Sequence, residues 1–350
     1  MARIVVAGGG AVGASIVYHL ARRGARGVVL AERGTIASGA TGKAMGGVRQ
    51  QFSTAAEVRL AQASIGLFQE LGAPLFEQVG YLFLATSEEG LAALEQRRVV
   101  QRELGVPVES VDASFVRGLA TDDVLGAVVC REDGVADPAG VTRELVRRAA
   151  ERGVDVREGA DALALDRDML VIACGASSPA AGARVGVELP IRPLCRQLAD
   201  VGPVGRLPSD LPMTIETETG FHFRRVGSGL RLAMTEPAAR WGEREWVDAT
   251  LVEDWRARLA RRYPPAVGAP VVRAWAGLYD MTPDAHPVIG PAAEDVYIAA
   301  GFSGHGFMQA PAVGAAVAEE LLDGESSLDL SPYRLERFAA GATFPETLVL

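Results

Sequence analysis

Cysteine is scarce in this chain: three in 350 residues, at Cys130, Cys174 and Cys195. They are odd in number and far apart. That spacing excludes a disulfide framework and a CxxC metal site, and it leads us to expect a reducing, cytoplasmic setting with no bound metal. Positive charge is also short. With 35 Lys and Arg against 44 Asp and Glu, the formal net charge is −9. No basic stripe with interleaved aromatics is present, so nucleic acid and anionic membrane surfaces are excluded as partners. The pairs Arg22-Arg23, Arg97-Arg98, Arg147-Arg148 and Arg261-Arg262 sit near expected helix ends, where a cation complements the helix dipole. No apolar run approaches the ~20 residues of a bilayer-spanning helix, so no integral membrane segment is expected. The apolar N-terminus is broken by Gly8-Gly9-Gly10 and reads as a strand and turn rather than a signal peptide. Repeats and low-complexity tracts are absent as well.

What is present is ordinary globular composition, 49% hydrophobic and 23% charged, with 40 glycines. At ~100–200 residues per domain the length suggests two domains. The informative part comes first. Ile4–Ala7 is a β-branched run that reads as a buried strand. Gly8-Gly9-Gly10-Ala11-Val12-Gly13 follows and fits G-x-G-x-x-G. Ala14–Ala21 reads as a helix closed by Gly24, and Gly27–Ala31 as a second strand ending at Glu32. In such a unit Gly8 permits the tight turn, Gly10 lets backbone approach a pyrophosphate, and Gly13 lets helix pack close on strand. The first amides of the helix, from Ala11 and Val12, face the phosphates with the positive dipole end. Glu32 lies 24 positions after Gly8, near the ~20 expected of an acid that accepts from a ribose diol. An acid there disfavours a 2′-phosphate.

After Glu32 the strand-helix rhythm stops. Residues 33–52, from Arg33 through Ser38, Thr41, Gly42, Gly46, Gly47 and Val48 to Phe52, form a long loop rich in glycine and small hydroxyl residues. Such a loop suits an extended cofactor, with backbone amides facing it, better than NAD.

This loop, A-S-G-A-T-G-K…G-G-V-R-Q-Q-F, resembles the D-amino-acid-oxidase superfamily of flavoproteins. The likeness is strongest to the branch holding sarcosine oxidase β subunits, the β subunit of archaeal dye-linked L-proline dehydrogenase and a mitochondrial complex I assembly factor. A second block, Gly277–Gly290 with T-P-D…P-x-I-G, and a third, Gly301-Phe302-Ser303-Gly304-His305-Gly306-Phe307-Met308, carry the same resemblance. Together they span the chain from Ile4 to about Phe338. The resemblance implies an α/β fold: a glutathione-reductase-type FAD-binding Rossmann domain with a second, antiparallel-sheet α+β substrate domain. It implies a discontinuous FAD domain at 1–76, 132–188 and 284–350, and a substrate domain at 77–131 and 189–283.

Element by element, Pro138–Arg152 reads as a helix capped by Gly153, and Val154–Val156 as a short strand. Asp168–Ala176 reads as a strand ending in a turn with Cys174 and Gly175, which contacts FAD in relatives. Between Ala160 and Asp168 the link is shorter than the family's hairpin, so the adenine side is expected to be more open. Gly220–Arg224 and Gly229–Met234 read as paired antiparallel strands, Leu251–Tyr263 as a helix and Val271–Tyr279 as a strand. Val296–Ala300 reads as a buried strand and Val313–Leu322 as a helix ending at Gly324, with Pro311 in its first turn. The resemblance points the N-terminus of that helix at the flavin ring.

The implied chemistry is oxidation of a C–N bond, with hydride passing from the carbon beside a neutral amine to flavin N5 and the imine hydrolysing in water. Secondary amines or amino acids such as L-proline, sarcosine or other N-alkyl amino acids are the expected substrates. A D-amino-acid dehydrogenase or oxidase is the alternative, or a non-catalytic flavin-bearing assembly subunit. Arg49 either pairs a substrate carboxylate or braces the loop. His305 is either catalytic or a structural hydrogen-bonding group. Alternation puts Trp275, Gly277 and Tyr279 on one strand face, where relatives line the substrate pocket; Gln51 and His222 are further candidates for it. His286 reads as a surface or turn residue. No cysteine lies in Gly277–Tyr279, so FAD is expected to be non-covalent. Met308 stands where monomeric sarcosine oxidases carry an oxygen-activating lysine, which favours a dehydrogenase. The electron acceptor is oxygen, a quinone or a partner subunit, in a homo- or hetero-oligomer.

Overall fold

The computed structural model describes residues 3–346. The outermost positions of the expected FAD segments, 1–2 and 347–350, lie outside the described residues.

Three sheets organise the described residues. The first has six strands in the order Val288–Ala293, Val296–Ala300, Met169–Ile172, Ile4–Ala7, Val28–Glu32, Asp155–Glu158. Its inner pairings are parallel, with Ile4 opposite both Met169 and Val28. Ile4–Ala7 and Met169–Ile172 are apolar throughout because helices or loops cover both faces. The edge hairpin Val288–Ala300 is antiparallel. The helix Ala11–Arg22 follows the first strand and packs on the helix Gly306–Asp323. Gly314 sits against Ser15 there, leaving no room for a Cβ.

The helix Gly306–Asp323 begins five residues before Pro311, so Pro311 lies inside it and not in its first turn. Proline removes one i→i−4 bond. Tertiary burial of Met308–Gly314 outweighs that local loss. The consequence is functional, because the helix N-terminus now opens at the Gly304–Gly306 turn itself. Its C-terminus is Gly324 in the left-handed region, as expected.

The large sheet runs Arg240–Trp241, Arg192–Val201, Gly229–Ala233, His222–Val226, Met213–Glu216, Tyr81–Ala85, Gly126–Cys130, Val108–Val111, and Val271–Met281 also pairs with Arg192–Val201. It is antiparallel except where Met213–Glu216 runs parallel to Tyr81–Ala85. That pairing joins two stretches far apart in the chain, so no hairpin constrains its direction. A small antiparallel sheet joins Gly47–Val48, Gly134–Ala136 and Phe76–Glu77. Among the described residues no helix is long and apolar enough to cross a membrane.

Candidate active site

One cavity of about 490 Å³ runs between the parallel sheet and the large antiparallel sheet. That volume falls within the ~300–1,000 Å³ of ligand sites. At one end its wall is the turn Gly8–Val12 with Glu32, Arg33, Ser38 and Thr41. Gly8 has φ +110°, open to glycine at no steric cost, and a side chain there would overlap the Ala173 carbonyl of the next strand. The helix Ala11–Arg22 has no side-chain N-cap of its own; Thr41 Oγ1 accepts from Ala11 N at 3.0 Å. Glu32 accepts from Gly9 N (2.7 Å) and Gly34 N (2.8 Å), which fixes its carboxylate beside the turn.

Gly13, Gly42, Val48 and Gly301 are not in the cavity wall. Each supports it from behind. A Cβ on Gly13 would strike Gly8 O, and one on Gly42 would strike Ala37 O. Val48 is core, and Gly301 N donates to Asp280 (2.7 Å). Cys174 and Gly175 do line the wall. The link after Ala160 is a single turn, Ala162–Ala164, and Ala160–Leu163 with Arg184 line that end. Asp161 and Arg184 pair across it at 2.7 Å.

At the other end the loop Lys43–Gly47 and the turn Gly304–Met308 face the large sheet. Three donors from that sheet hold the loop's carbonyls. Trp275 Nε1 donates to Lys43 O (3.0 Å), Arg231 Nη1 to Ala44 O (3.3 Å) and Arg224 Nε to Met45 O (2.6 Å). Trp275 therefore lies beneath the loop, flanked by Arg231 and Arg273, and is not part of the wall. Alternation put it on the correct face; the loop covers it. Lys43 also pairs with Glu245, so the loop is tied across the cavity to residues 242–248. Gly46, at φ +83°, and Gly47 permit this approach, since a Cβ on Gly47 would stand 2.7 Å from Tyr81 Oη.

Arg49 lines the cavity, is 2% exposed, and donates to Gln51 O. Its guanidinium lies over the Phe52 ring (4.1 Å) and 3.4 Å from His305 Nε2. His305 is edge-on to Phe52 and occupies the N-cap of the last helix. Gln51 is a brace: its amide donates to Tyr81 O (3.0 Å) and Asp133 (3.1 Å), and it does not reach the cavity. Tyr279 does, with its ring against Gly304, and burial raises its phenol above the ordinary range, so it is a neutral donor. Asp280, which the motif reading passed over, holds the Gly301–Ser303 turn by its amides and is pushed up chiefly by burial.

His222 lines the cavity, is buried, and donates from Nδ1 to Gly220 O at 2.7 Å, which leaves Nε2 as an acceptor. Burial pushes its pKa down to about 4, against 6.5 in an unfolded chain. Between those values the unfolded chain binds more protons, so stability is full above pH 6.5 and is lost as pH falls toward 4. His19 shifts the same way, to about 4, through burial and then Arg22. Asp133 opposes them: burial raises it to about 6, so its contribution is lost as pH rises. We expect His222→Gln to shrink the stability lost between pH 7 and pH 5 by about 2 kcal/mol, read from denaturant midpoints at the two pH values. Equal losses in variant and parent would show that His222 is not held neutral.

The arrangement fits FAD on three structural grounds. Bare glycine backbone and a helix start whose N-cap, Gly10, has no side chain suit a pyrophosphate. A fixed carboxylate at the second strand suits a ribose. A helix N-terminus opening at Gly304–Gly306 suits a ring that gains negative charge. Known proteins agree. Residues 3–320 match the family model described as DAO, FAD dependent oxidoreductase. The L-proline dehydrogenase of P. horikoshii superposes with TM-score 0.90 at 29% identity, over 98% of this chain and 99% of that one. Glycine oxidase of Geobacillus kaustophilus is 29% identical over 95% of this chain and 96% of its own length. The FAD-dependent oxidoreductase domain-containing protein 1 of Bos taurus is 30% identical over 99% and 87% respectively. The chain belongs to the DAO family of FAD-dependent oxidoreductases.

Proposed function

We propose that this protein oxidises the C–N bond of a secondary amine or amino acid, of the L-proline, sarcosine or N-alkyl amino-acid type. The observation that carries this reading is the composition of the cavity's inner end. Apolar Met213, Ala233 and Met234 are combined with two neutral hydrogen-bonding groups, Tyr279 and His222, and with Arg49 and Arg196. Such a chamber accepts a small amine and favours its unprotonated form, since burying a cation without a partner is costly. The likeness to L-proline dehydrogenase and glycine oxidase supports the substrate class.

In this reading Gly8, Gly10, Ala11 and Val12 hold the pyrophosphate, Glu32 the ribose, and Lys43–Gly47 with Gly304–Met308 the ring. Residues 1–76, 132–188 and 284–350 then form the cofactor domain, and 77–131 with 189–283 the substrate domain. When bound, FAD supplies the two-electron acceptor for the substrate's hydride. The chain's own work is to place the substrate carbon over the ring, to exclude water, and to accept the amine's N–H at His222 Nε2. Arg49 and His305 support the ring from the Phe52 side.

The test is an anaerobic visible spectrum of the FAD-loaded protein before and after a panel of amino acids and N-methyl amines. Bleaching by one of them supports the reading and names the substrate class. A flavin band that none of them bleaches would overturn it.

A further inference from the structure

Arg196 did not stand out in the sequence, yet it is the cavity's unusual charge. It lies in the middle of Arg192–Val201, directly opposite Gly277, and lines the cavity. The glycine directly opposite on Val271–Met281 offers the guanidinium no side chain. Its Cζ is 6.0 Å from the Tyr279 ring centre. Nε and Nη1 are buried from solvent without a hydrogen-bond partner, and the side chain makes no ion pair among the described residues. The neighbouring arginines are all engaged. Arg224 and Arg231 hold loop carbonyls, Arg231 also pairs with Asp200, and Arg240 pairs with Glu236. Arg49 donates to Gln51 O and packs on Phe52.

A guanidinium half-sunk in a partly apolar cavity without an anion is costly, because its N–H groups have left water and met nothing. An incoming anion recovers that loss. The FAD pyrophosphate belongs at the Gly8–Val12 end, on the opposite sheet, so the anion for Arg196 is another one. Beside Tyr279 and the Met213–Met234 wall there is room for a small carboxylate, whose charge-assisted bonds to arginine are among the strongest polar contacts.

We propose that Arg196 anchors the carboxylate of an amino-acid substrate, so that the enzyme discriminates an amino acid from the corresponding plain amine. This rests on the amine-oxidising reading and narrows it to substrates carrying a carboxylate beside the reacting C–N bond. A site with a buried, otherwise unpaired donor rejects the analogue that lacks the acceptor.

Two measurements on FAD-loaded protein test it. The first titrates the flavin band with cyclopentanecarboxylate, which has a carboxylate but no amine to oxidise, against cyclopentanol. We expect the acid to perturb the band of the parent protein. Arg196→Met should weaken its binding at least 30-fold, and Arg196→Lys, which keeps the charge but not the fork, about tenfold. The second follows anaerobic flavin reduction by the fastest amino acid of the panel and by its decarboxylated amine. Arg196→Met should lower the second-order rate for the acid by a similar factor and leave the amine within threefold. Flavin content and melting temperature show whether each variant is folded. If the methionine variant loses flavin, the lysine variant carries the comparison.

Unchanged carboxylate binding in a folded variant would overturn the proposal. So would equal losses for acid and amine, or a loss in Arg49→Met that Arg196→Met does not share. Arg196-dependent carboxylate binding with no bleaching by any amine would sustain the anchor while sinking the amine-oxidising reading. Bleaching without carboxylate discrimination would do the reverse.

Discussion

Gly13→Ala is expected to strip the protein of FAD and to cost about 3 kcal/mol or more in stability. The reason is local and steric. Gly13 is in the first turn of the helix Ala11–Arg22, and an added Cβ would overlap the carbonyl oxygen of Gly8, with Val6 Cγ1 only 3.5 Å away. The obstacle is backbone, so no rotamer relieves it. The helix must lift off the strand Ile4–Ala7, and with it move the amides that face the cavity and the contact of Ser15 with Gly314. A shift of even ~1 Å at a preorganised site is enough to lose its ligand. Gly66→Ala is the control: Gly66 sits mid-helix in Ala55–Leu71, where an added Cβ meets nothing within 4 Å, so alanine should stabilise by roughly 0.5–1 kcal/mol. Flavin absorbance per protein and melting temperature report both. A Gly13→Ala protein that keeps its yellow colour and melts within about 2 °C of the parent would show that the helix has slack the packing denies.

Glu57→Gln should lower the melting temperature by about 4–7 °C, from a loss of about 3–5 kcal/mol on disrupting a buried, fully hydrogen-bonded carboxylate. Glu57 and His286 are both fully buried and meet at 2.9 Å. His286 Nε2 lies 2.6 Å from Phe344 O. The ring is therefore held from both sides, by the Glu57 carboxylate and by a backbone carbonyl. Glu57 further accepts from Tyr333 Oη (3.0 Å) and Gln309 Nε2. The amide variant sets an NH2 group against a donor that the carboxylate accepted from, so one buried hydrogen bond is lost. The damage should spread to the C-terminal segment, because Phe344 stacks on His286 at 3.9 Å and Glu346 accepts from Ser53. Limited proteolysis should cut the variant near residues 338–346 earlier than the parent. A melting temperature within about 2 °C would mean that the Glu57 carboxylate's bonds contribute little to stability.

His286 marks where sequence reading stopped. The T-P-D-A-H-P run is visible, but its purpose is not. Thr282 Oγ1 donates to His286 O, and Asp284 takes Arg337 at 2.8 and 3.0 Å. The motif is a knot that docks the C-terminus, and its partners lie up to 229 positions away. Turn residues in a motif resemble surface residues until those partners are known. Gln51 and Trp275 misled in the opposite way. Gln51 by its place in the loop and Trp275 by its strand face suited a pocket, but Asp133 and the Lys43 carbonyl claim them.

By itself the sequence determined the parallel unit at the N-terminus, the cofactor class, the glycines that forbid side chains, and most elements near their true ends. These are local properties, since hydrophobic period, a left-handed turn and a strand-turn-helix spacing are written within some thirty residues. Tertiary structure decided the start of the last helix at Gly306, the brace role of Gln51, and the exposure of Arg196 to the cavity. Each depends on which distant group occupies the neighbouring space. Burial and partners, which decide whether a polar side chain supports a site or serves it, exist only after the chain has closed on itself.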